Sequence, residues 1–143
     1  MIALPGKDEL LVACRGLPTS PHPVLDAAAE LVLLHQDREQ IAACTNSGND
    51  WHRTRLIRRI DRWVTFVAPT PFPSARVHSQ TVGEVVDRIA YLTMRTYIVL
   101  ADASDPWFYD AYVLLEDMGD AYQDLVDEVA AGLRRLPGTS NLN

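Results

Sequence analysis

The sequence predicts an all-α fold, an antiparallel helical bundle of about four long helices with an irregular N-terminal arm. Apolar residues recur at three- and four-residue spacing along several segments, and helix start and stop signals flank those segments. Short or proline-stiffened connections between such helices favour antiparallel neighbours. We expect one domain of 143 residues, with an arm over 1–23, a bundle over 24–136 and a tail over 137–143.

The N-terminal arm carries six proline or glycine residues, which restricts it to one short helix over about 8–14. The first long helix is predicted over 24–44. Pro23 favours its start, because proline suits the first helical position, and the polar cluster at 45–48 favours its end.

The second long helix is predicted over 49–67, with Asn49 or Asp50 as its N-cap. Proline cannot donate a backbone hydrogen bond and clashes with the preceding turn, so the prolines after this helix exclude further helix. These prolines are Pro69, Pro71 and Pro73. The connection that follows is therefore expected to be stiff and non-helical.

The third and fourth long helices have the clearest end signals. Thr81 followed three residues later by Glu84 predicts a capping box, which starts a third helix that runs to Ala101. An Asp-Pro pair starts the fourth helix, which is predicted over 105–136 and ends at a Pro-Gly pair. Gly119 marks a potential break within it.

The composition argues against several partners. The formal charge is −6 and the pI is near 5.0, which disfavours nucleic acid because phosphate backbones attract positive surfaces. Cys14 and Cys44 lack disulfide or zinc spacing and are predicted to be reduced thiols. No apolar run approaches the roughly 20 residues that span a bilayer, and residues 1–6 lack a signal-peptide pattern. We expect a cytoplasmic protein without a cofactor or a membrane partner.

Carboxylates on the fourth helix resemble the acidic ladders of helical nucleotide pyrophosphohydrolases, with Glu84 and Asp87 as a matching pair for magnesium. On a helical wheel, however, the carboxylates of the fourth helix lie opposite its apolar stripe of Leu115, Tyr122 and Val129. We therefore expect a solvated acidic face and no metal site. The acidic residues are Asp110, Glu116, Asp117, Asp120, Asp124, Asp127 and Glu128.

Four arginines are predicted on the outer face of the second helix, away from its apolar side. A solvated face, or pairing with the acidic fourth helix, is the expected role, and a phosphate-binding patch is the alternative. The arginines are Arg55, Arg58, Arg59 and Arg62.

Polar residues that face inward are the best candidates for a site, because burying them without partners costs free energy. His35 lies in the middle of the apolar stripe of the first helix. Arg53 lies on the apolar side of the second helix, and Asp61 is close to the same stripe. A lone inward histidine is more often structural than catalytic, so both roles stay open.

A family resemblance points to the same residues. The run Thr-Val-Gly-Glu-Val-Val-Asp-Arg-Ile at 81–89 is similar to a Thr-Pro-Gly-Ser-Ile-Ile-Asp-Arg-Leu pattern, and Leu34-His35, Arg53, Leu56-Ile57 and Ile60-Asp61 accompany it. This set resembles the bacterial family catalogued as domain of unknown function 4254.

That resemblance covers about half of the chain, residues 33–100. It implies a small helical bacterial protein, in a family with some members encoded beside sugar-transfer genes and without an agreed activity. Thr54 and Arg58 stand where the family commonly has Asn and Glu, which puts part of a family site in doubt. The resemblance singles out His35, Arg53, Asp61, Asp87 and Arg88.

The leading functional hypothesis is a pocket between the first three long helices that binds or transforms a small anionic ligand, with sugar-related chemistry suggested by the resemblance. His35 and Asp87 are the catalytic candidates, and Arg53, Arg88 and Asp61 are the ligand-binding candidates. One alternative is a non-catalytic dimeric or adaptor bundle in which Arg88 pairs with Glu84. A second alternative is a pyrophosphohydrolase-like enzyme.

A homodimer is also expected. Tyr91, Met94 and Ile98 form an apolar strip opposite the predicted core side of the third helix, and a monomer would leave that strip partly exposed. The alternative is that this helix is central and that other parts of the chain cover the strip.

Overall fold

The computed structural model describes residues 4–40, 47–101 and 105–138, and over these ranges the chain is mostly helical, as predicted. Its elements are α1 (Lys7–Cys14), α2 (Pro23–Gln40), α3 (Ser47–Val67), β1 (Arg76–Val77), α4 (Val82–Ala101), α5 (Asp105–Ala130) and β2 (Arg134–Arg135). The predicted end of the first long helix at Cys44 lies outside the described residues. No helix within these ranges is long and apolar enough to cross a membrane.

Local signals set most helix starts. The capping box of α4 is formed as predicted: the Thr81 N–H donates to Glu84 Oε1 at 2.8 Å, and the Glu84 N–H donates to Thr81 Oγ1 at 3.1 Å. Helix α2 begins at Pro23. The predicted N-cap of α3 is wrong, because the helix begins two residues before Asn49 and includes Asp50 in its first turn.

The fourth predicted helix ends earlier than expected. Gly132 adopts a positive φ of 76°, and its N–H donates to the Val129 carbonyl at 3.1 Å. The Leu133 N–H donates to the Glu128 carbonyl at 2.9 Å, which completes a Schellman motif. The prediction of helix to Leu136 is therefore wrong, because these bonds satisfy the last carbonyls of α5 before that point. Gly119 lies inside α5 and does not end it.

The residues after α5 pair with the connection between α3 and α4. Strands β1 and β2 are parallel, with Arg76 opposite Arg134. The His78 N–H donates to the Arg135 carbonyl at 2.7 Å, and the Phe72 N–H donates to the carbonyl of Gly132 at 2.9 Å. The proline-rich connection is therefore fixed to the end of the bundle by backbone hydrogen bonds.

Helix α4 is the central element. It packs against α1, α2, α3 and α5, and both the Val82, Val86 and Ile89 side and the opposite side are buried. Met94, predicted to be exposed on the apolar strip, is 1% exposed, and Tyr91 is half-buried. The side chain of Ile98 lies outside the described part of the chain. The described part of the strip, Tyr91 and Met94, is thus at least partly covered within the chain, as the alternative proposed, and gives no basis for a homodimer at these two residues.

The N-terminal arm contributes to the core through α1. Leu10 and Cys14 are buried against the long helices. The hydroxyl of buried Tyr122 donates to the Pro5 carbonyl at 2.7 Å, which fixes the segment before α1 to α5. The irregular arm therefore includes a packed helix, because its apolar residues bury surface that α2, α4 and α5 leave open.

We expect Gly83→Ala to destabilise the protein, although alanine is the better helix former by about 1 kcal/mol. A Cβ at Gly83 would lie 2.5 Å from the Ile57 carbonyl oxygen and 2.7 Å from Asp61 Oδ1. Such overpacking typically costs about 1–3 kcal/mol. Urea denaturation monitored by circular dichroism measures the change.

Gly119→Ala is the matched control, because its Cβ would meet the flexible Lys7 side chain, with Cε at 2.9 Å. We expect that variant to unfold near the wild-type midpoint. Equal midpoints for both variants would contradict the close approach of α4 to α3.

Candidate functional site

Three of the predicted site residues meet between α2, α3 and α4, and we call them the buried cluster: His35, Asp87 and Arg53. His35 Nε2 lies 2.9 Å from Asp87 Oδ1. Arg53 donates from Nε to Asp87 Oδ2 at 3.0 Å and from Nη2 to the same oxygen at 2.8 Å, with a longer Nε contact of 3.2 Å to Oδ1. One carboxylate therefore joins a side chain from each of the other two helices.

The charge on Asp87 depends on these partners. Burial by itself raises the pKa of the Asp87 carboxyl, but the hydrogen bonds from His35 and Arg53 outweigh it, so that the pKa lies below its ordinary value. The carboxylate is therefore ionised at neutral pH and only accepts hydrogen bonds. It follows that His35 Nε2 carries the proton in this contact.

The imidazole of His35 is shielded from solvent. The residue is 5% exposed, and the Tyr91 ring contacts it edge-to-face, with centroids 5.4 Å apart and planes at 76°. Tyr91 belongs to the strip that we predicted to face outward, so its role beside His35 was missed. Its position four residues after Asp87 was the available signal, because that spacing places both on one face of a helix.

Arg53 connects the buried cluster to the surface. Its Nε and Nη2 groups face Asp87, while its side chain is 36% exposed. Asp50 acts on Arg53 through charge and also pairs with Arg38, whose Nη1 lies 3.3 Å from Asp50 Oδ1. The outer edge of the cluster therefore presents two arginines with one exposed carboxylate between them.

Asp61 belongs to a separate group at the start of α4. Its Oδ1 accepts a hydrogen bond from the Gly83 N–H at 2.7 Å, so it satisfies one of the free amides of that helix end. Burial raises the pKa of the Asp61 carboxyl, and the Gly83 N–H and Thr81 hydroxyl reduce this rise without cancelling it. Asp61 therefore holds α3 against the N-terminus of α4.

Arg88 does not join the buried cluster. It is exposed, and it has no hydrogen bond or ion pair with the residues that the structure describes. The Glu84 carboxylate, its predicted partner in the adaptor alternative, instead accepts the Thr81 N–H. Of the five predicted site residues, the fold brings together His35, Asp87 and Arg53.

The acidic residues of α5 do not converge in the core. Glu116 and Asp120 both bind Lys7 Nζ, at 2.8 and 2.7 Å, which ties α1 to α5. Their contacts raise the pKa of Lys7. Asp110, Asp117, Asp124 and Asp127 are exposed, and Glu128 is partly buried. Over the described ranges, no three His, Cys, Asp or Glu side chains are grouped to hold a metal ion.

The thiol of Cys14 is free and buried. Burial raises the pKa of the Cys14 thiol to about 12, an effect that a hydrogen bond with Thr93 reduces. The thiolate, which is the nucleophilic form, is therefore scarce at neutral pH. Cys14 is a core residue, and Cys44 lies outside the described residues.

These features define a small helical-bundle protein in which an arginine links a buried histidine–aspartate pair to the surface. Comparison of the chain with protein-family models, with curated proteins and with solved structures finds no match. The function of this chain is therefore inferred from the geometry of the buried cluster and its surroundings.

Asp87→Asn should destabilise the protein at pH 7 by about 2 kcal/mol, the usual size of a lost hydrogen bond to a charged group. The pKa of the Asp87 carboxyl is lower in the folded chain than in the unfolded chain. The stability that the ionised carboxylate contributes is therefore fully present above the unfolded-state pKa of about 3.9, and it is lost as pH falls through the folded-state pKa. The stability difference between wild type and variant should therefore narrow below about pH 4. Denaturant unfolding across this pH range measures it.

Asp61→Asn is the contrasting variant. The pKa of Asp61 is raised in the folded chain, so the ionised carboxylate costs stability at neutral pH, and an asparagine oxygen still accepts the Gly83 N–H. We expect stability at pH 7 within about 0.5 kcal/mol of wild type, or higher. If Asp61→Asn and Asp87→Asn lost the same amount of stability at pH 7, the two carboxylates would not differ in their contribution to the fold, which would contradict this assignment.

Proposed function

We propose that this chain binds a small anionic ligand at the outer edge of the buried cluster, with Arg53 as the main binding residue. The observation that carries the proposal is the position of the Arg53 guanidinium. Two of its nitrogens are held by Asp87 while the side chain remains 36% exposed. A guanidinium binds carboxylate or phosphate through paired N–H groups, and prior fixation lowers the entropic cost of binding.

Two further arginines extend this proposed site. Arg38 pairs with Asp50, and the charge of Asp50 also acts on Arg53, so the two arginines have one carboxylate as a common neighbour. The Arg38 side chain is partly exposed. Arg88 is an exposed cation on α4, without a partner among the described residues. The proposal leaves out Asp61, since its carboxylate caps the start of α4.

Binding is favoured over catalysis for a steric reason. His35 and Asp87 have the chemistry of a general acid–base pair, but the His35 ring is 5% exposed and its Nε2 faces Asp87. A ligand held by the outer edge of Arg53 would not reach that ring without movement of Tyr91 or α2. In this proposal His35 positions Asp87, which in turn positions Arg53.

The choice of ligand class follows the sequence resemblance. Membership of the domain of unknown function 4254 family is part of the proposal, and its implied link to sugar transfer makes sugar phosphates the first ligands to test. A cytoplasmic location belongs to the same proposal, and the free thiol of Cys14 is compatible with it.

The competing function is a non-catalytic adaptor bundle. It is supported by the internal pairing of the buried cluster, since His35, Asp87 and Arg53 all have partners within the chain. A cluster of this kind joins helices without needing a ligand. The pyrophosphohydrolase alternative has weaker support, because Glu116 and Asp120 bind Lys7 instead of facing inward.

Calorimetric titration with inorganic phosphate and with glucose 1-phosphate tests the proposal. We expect Arg53→Gln to weaken binding at least about tenfold, which corresponds to about 1.4 kcal/mol and to the loss of a charge-assisted hydrogen bond. Arg76→Gln is the charge-matched control, because Arg76 is exposed on β1, and it should bind like wild type.

Stability must be measured beside binding, because Arg53→Gln also removes a partner of Asp87. Arg53→Lys keeps the charge but loses the two-nitrogen contact, so it should fold better than Arg53→Gln and still bind more weakly than wild type. Wild-type protein that binds neither anion, or Arg53 variants that bind as wild type does, would favour the adaptor bundle.

A further inference from the structure

The outer face of α3 carries an exposed stripe that the buried cluster does not use, and we call it the arginine stripe. Its members recur at helical spacing, so they lie along one face over about 22 Å. They are Trp51, Arg55, Arg58, Arg59, Arg62 and Phe66. Trp51 is 65% exposed and Phe66 is 88% exposed, so two large aromatic side chains lie in solvent at its two ends.

The positive charge of this stripe is not neutralised by the described part of the chain. Its four arginines have no ion pair there, and Arg55 instead stacks over the Trp51 ring at 4.8 Å. We expected pairing with the acidic helix as one outcome. In the described ranges, however, α3 packs against α2 and α4 and not against α5.

Helix α5 carries the complementary surface, which we call the aspartate stripe. Its carboxylates lie on one face over about 26 Å, close to the length of the arginine stripe. Tyr109 and Val113, both exposed, lie on the same face near its N-terminal end. The carboxylates are Asp110, Asp117, Asp120, Asp124 and Asp127.

We propose that the arginine stripe of one copy of this chain docks on the aspartate stripe of a second copy. The two stripes have opposite charge and similar length, and each adds exposed apolar or aromatic side chains to its charges. Because α4 packs between α3 and α5, the stripes do not meet within one chain. Aromatic residues and arginine are also the residue types enriched at protein interfaces.

A second copy fits these observations better than nucleic acid does. The chain carries a net charge of −6, and its aspartate stripe would repel a phosphate backbone, whereas both stripes are used when two copies meet. The contact joins unlike surfaces, so it differs from the α4 strip that the sequence suggested as a dimer surface. It is also independent of anion binding at Arg53.

Individual surface ion pairs contribute little, so the association should be weak and sensitive to salt. Light scattering coupled to size exclusion should give a mass of at least two copies at about 0.05 M salt. The mass should return to one copy at about 0.5 M salt, where the screening length falls to about 4 Å. A wild-type chain that remains monomeric at low salt would overturn the proposal.

Charge exchange between the stripes is the decisive test. Arg58→Glu/Arg62→Glu reduces the net charge of the arginine stripe from four positive charges to zero. Asp117→Lys/Asp124→Lys reduces the net charge of the aspartate stripe from five negative charges to one. Each variant keeps only one stripe at full charge, so each by itself should be monomeric. An equimolar mixture should associate again, because the unchanged aspartate stripe of the first variant can dock on the unchanged arginine stripe of the second. Circular dichroism checks that the exposed substitutions leave the fold intact.

Arg15→Glu/Arg76→Glu is the matched control, because it changes net charge equally at exposed arginines outside the stripe. We expect it to associate like wild type. If it dissociates as fully as Arg58→Glu/Arg62→Glu, net charge and not the stripe governs association, and the proposal fails. Monomeric wild type that binds a single-stranded oligonucleotide through Arg58 and Arg62 would instead identify a nucleic-acid surface.

Discussion

The ionised carboxylate of Asp87, buried among α2, α3 and α4, is the constraint on which the arrangement of these helices depends. It accepts hydrogen bonds from His35 on one side and from Arg53 on the other. An isolated charge at this depth would be strongly unfavourable, so the carboxylate requires both partners to be in place. These hydrogen bonds specify the register of the three helices relative to one another. Apolar packing alone would hold the helices together but would specify that register less strictly.

This constraint also explains the asymmetry of the cluster. His35 lies on the inner side of Asp87 and is covered by Tyr91, whereas Arg53 lies on the outer side and reaches solvent. The same carboxylate therefore holds one partner that is enclosed and one that is accessible. A positioned, accessible guanidinium suits anion binding, and an enclosed histidine suits a structural role.

The central position of α4 has a second consequence at the surface. Because α4 packs against four other helices, Met94, which the sequence placed on an outward strip, is part of the core. Helices α3 and α5 lie on different sides of α4, so their charged faces point to solvent without neutralising each other. Lys7 compensates part of the acidic face through Glu116 and Asp120, but the arginines of α3 have no equivalent contact within the described ranges.

Much of the candidate site could be anticipated, because inward orientation follows from helical spacing. The wheel positions of His35 and Arg53 predicted that both face the apolar side, and the structure agrees. The partner of Arg53 could not be chosen in the same way. Asp50, Asp61 and Asp87 were all candidates, and the choice among them depends on how α3 packs against α4, which no periodicity within one helix records.

The sequence by itself determined the helical elements and many of their ends, since caps, prolines and the capping box at Thr81 act between residues a few positions apart. Even the early end of α5 had a local cause in Gly132, whose positive φ closes the helix. Only the tertiary structure decided that α4 is central, that Asp61 caps a neighbouring helix and that Asp87 joins His35 to Arg53. These contacts unite residues more than 20 positions apart, and they depend on the packing of whole helices instead of the local backbone.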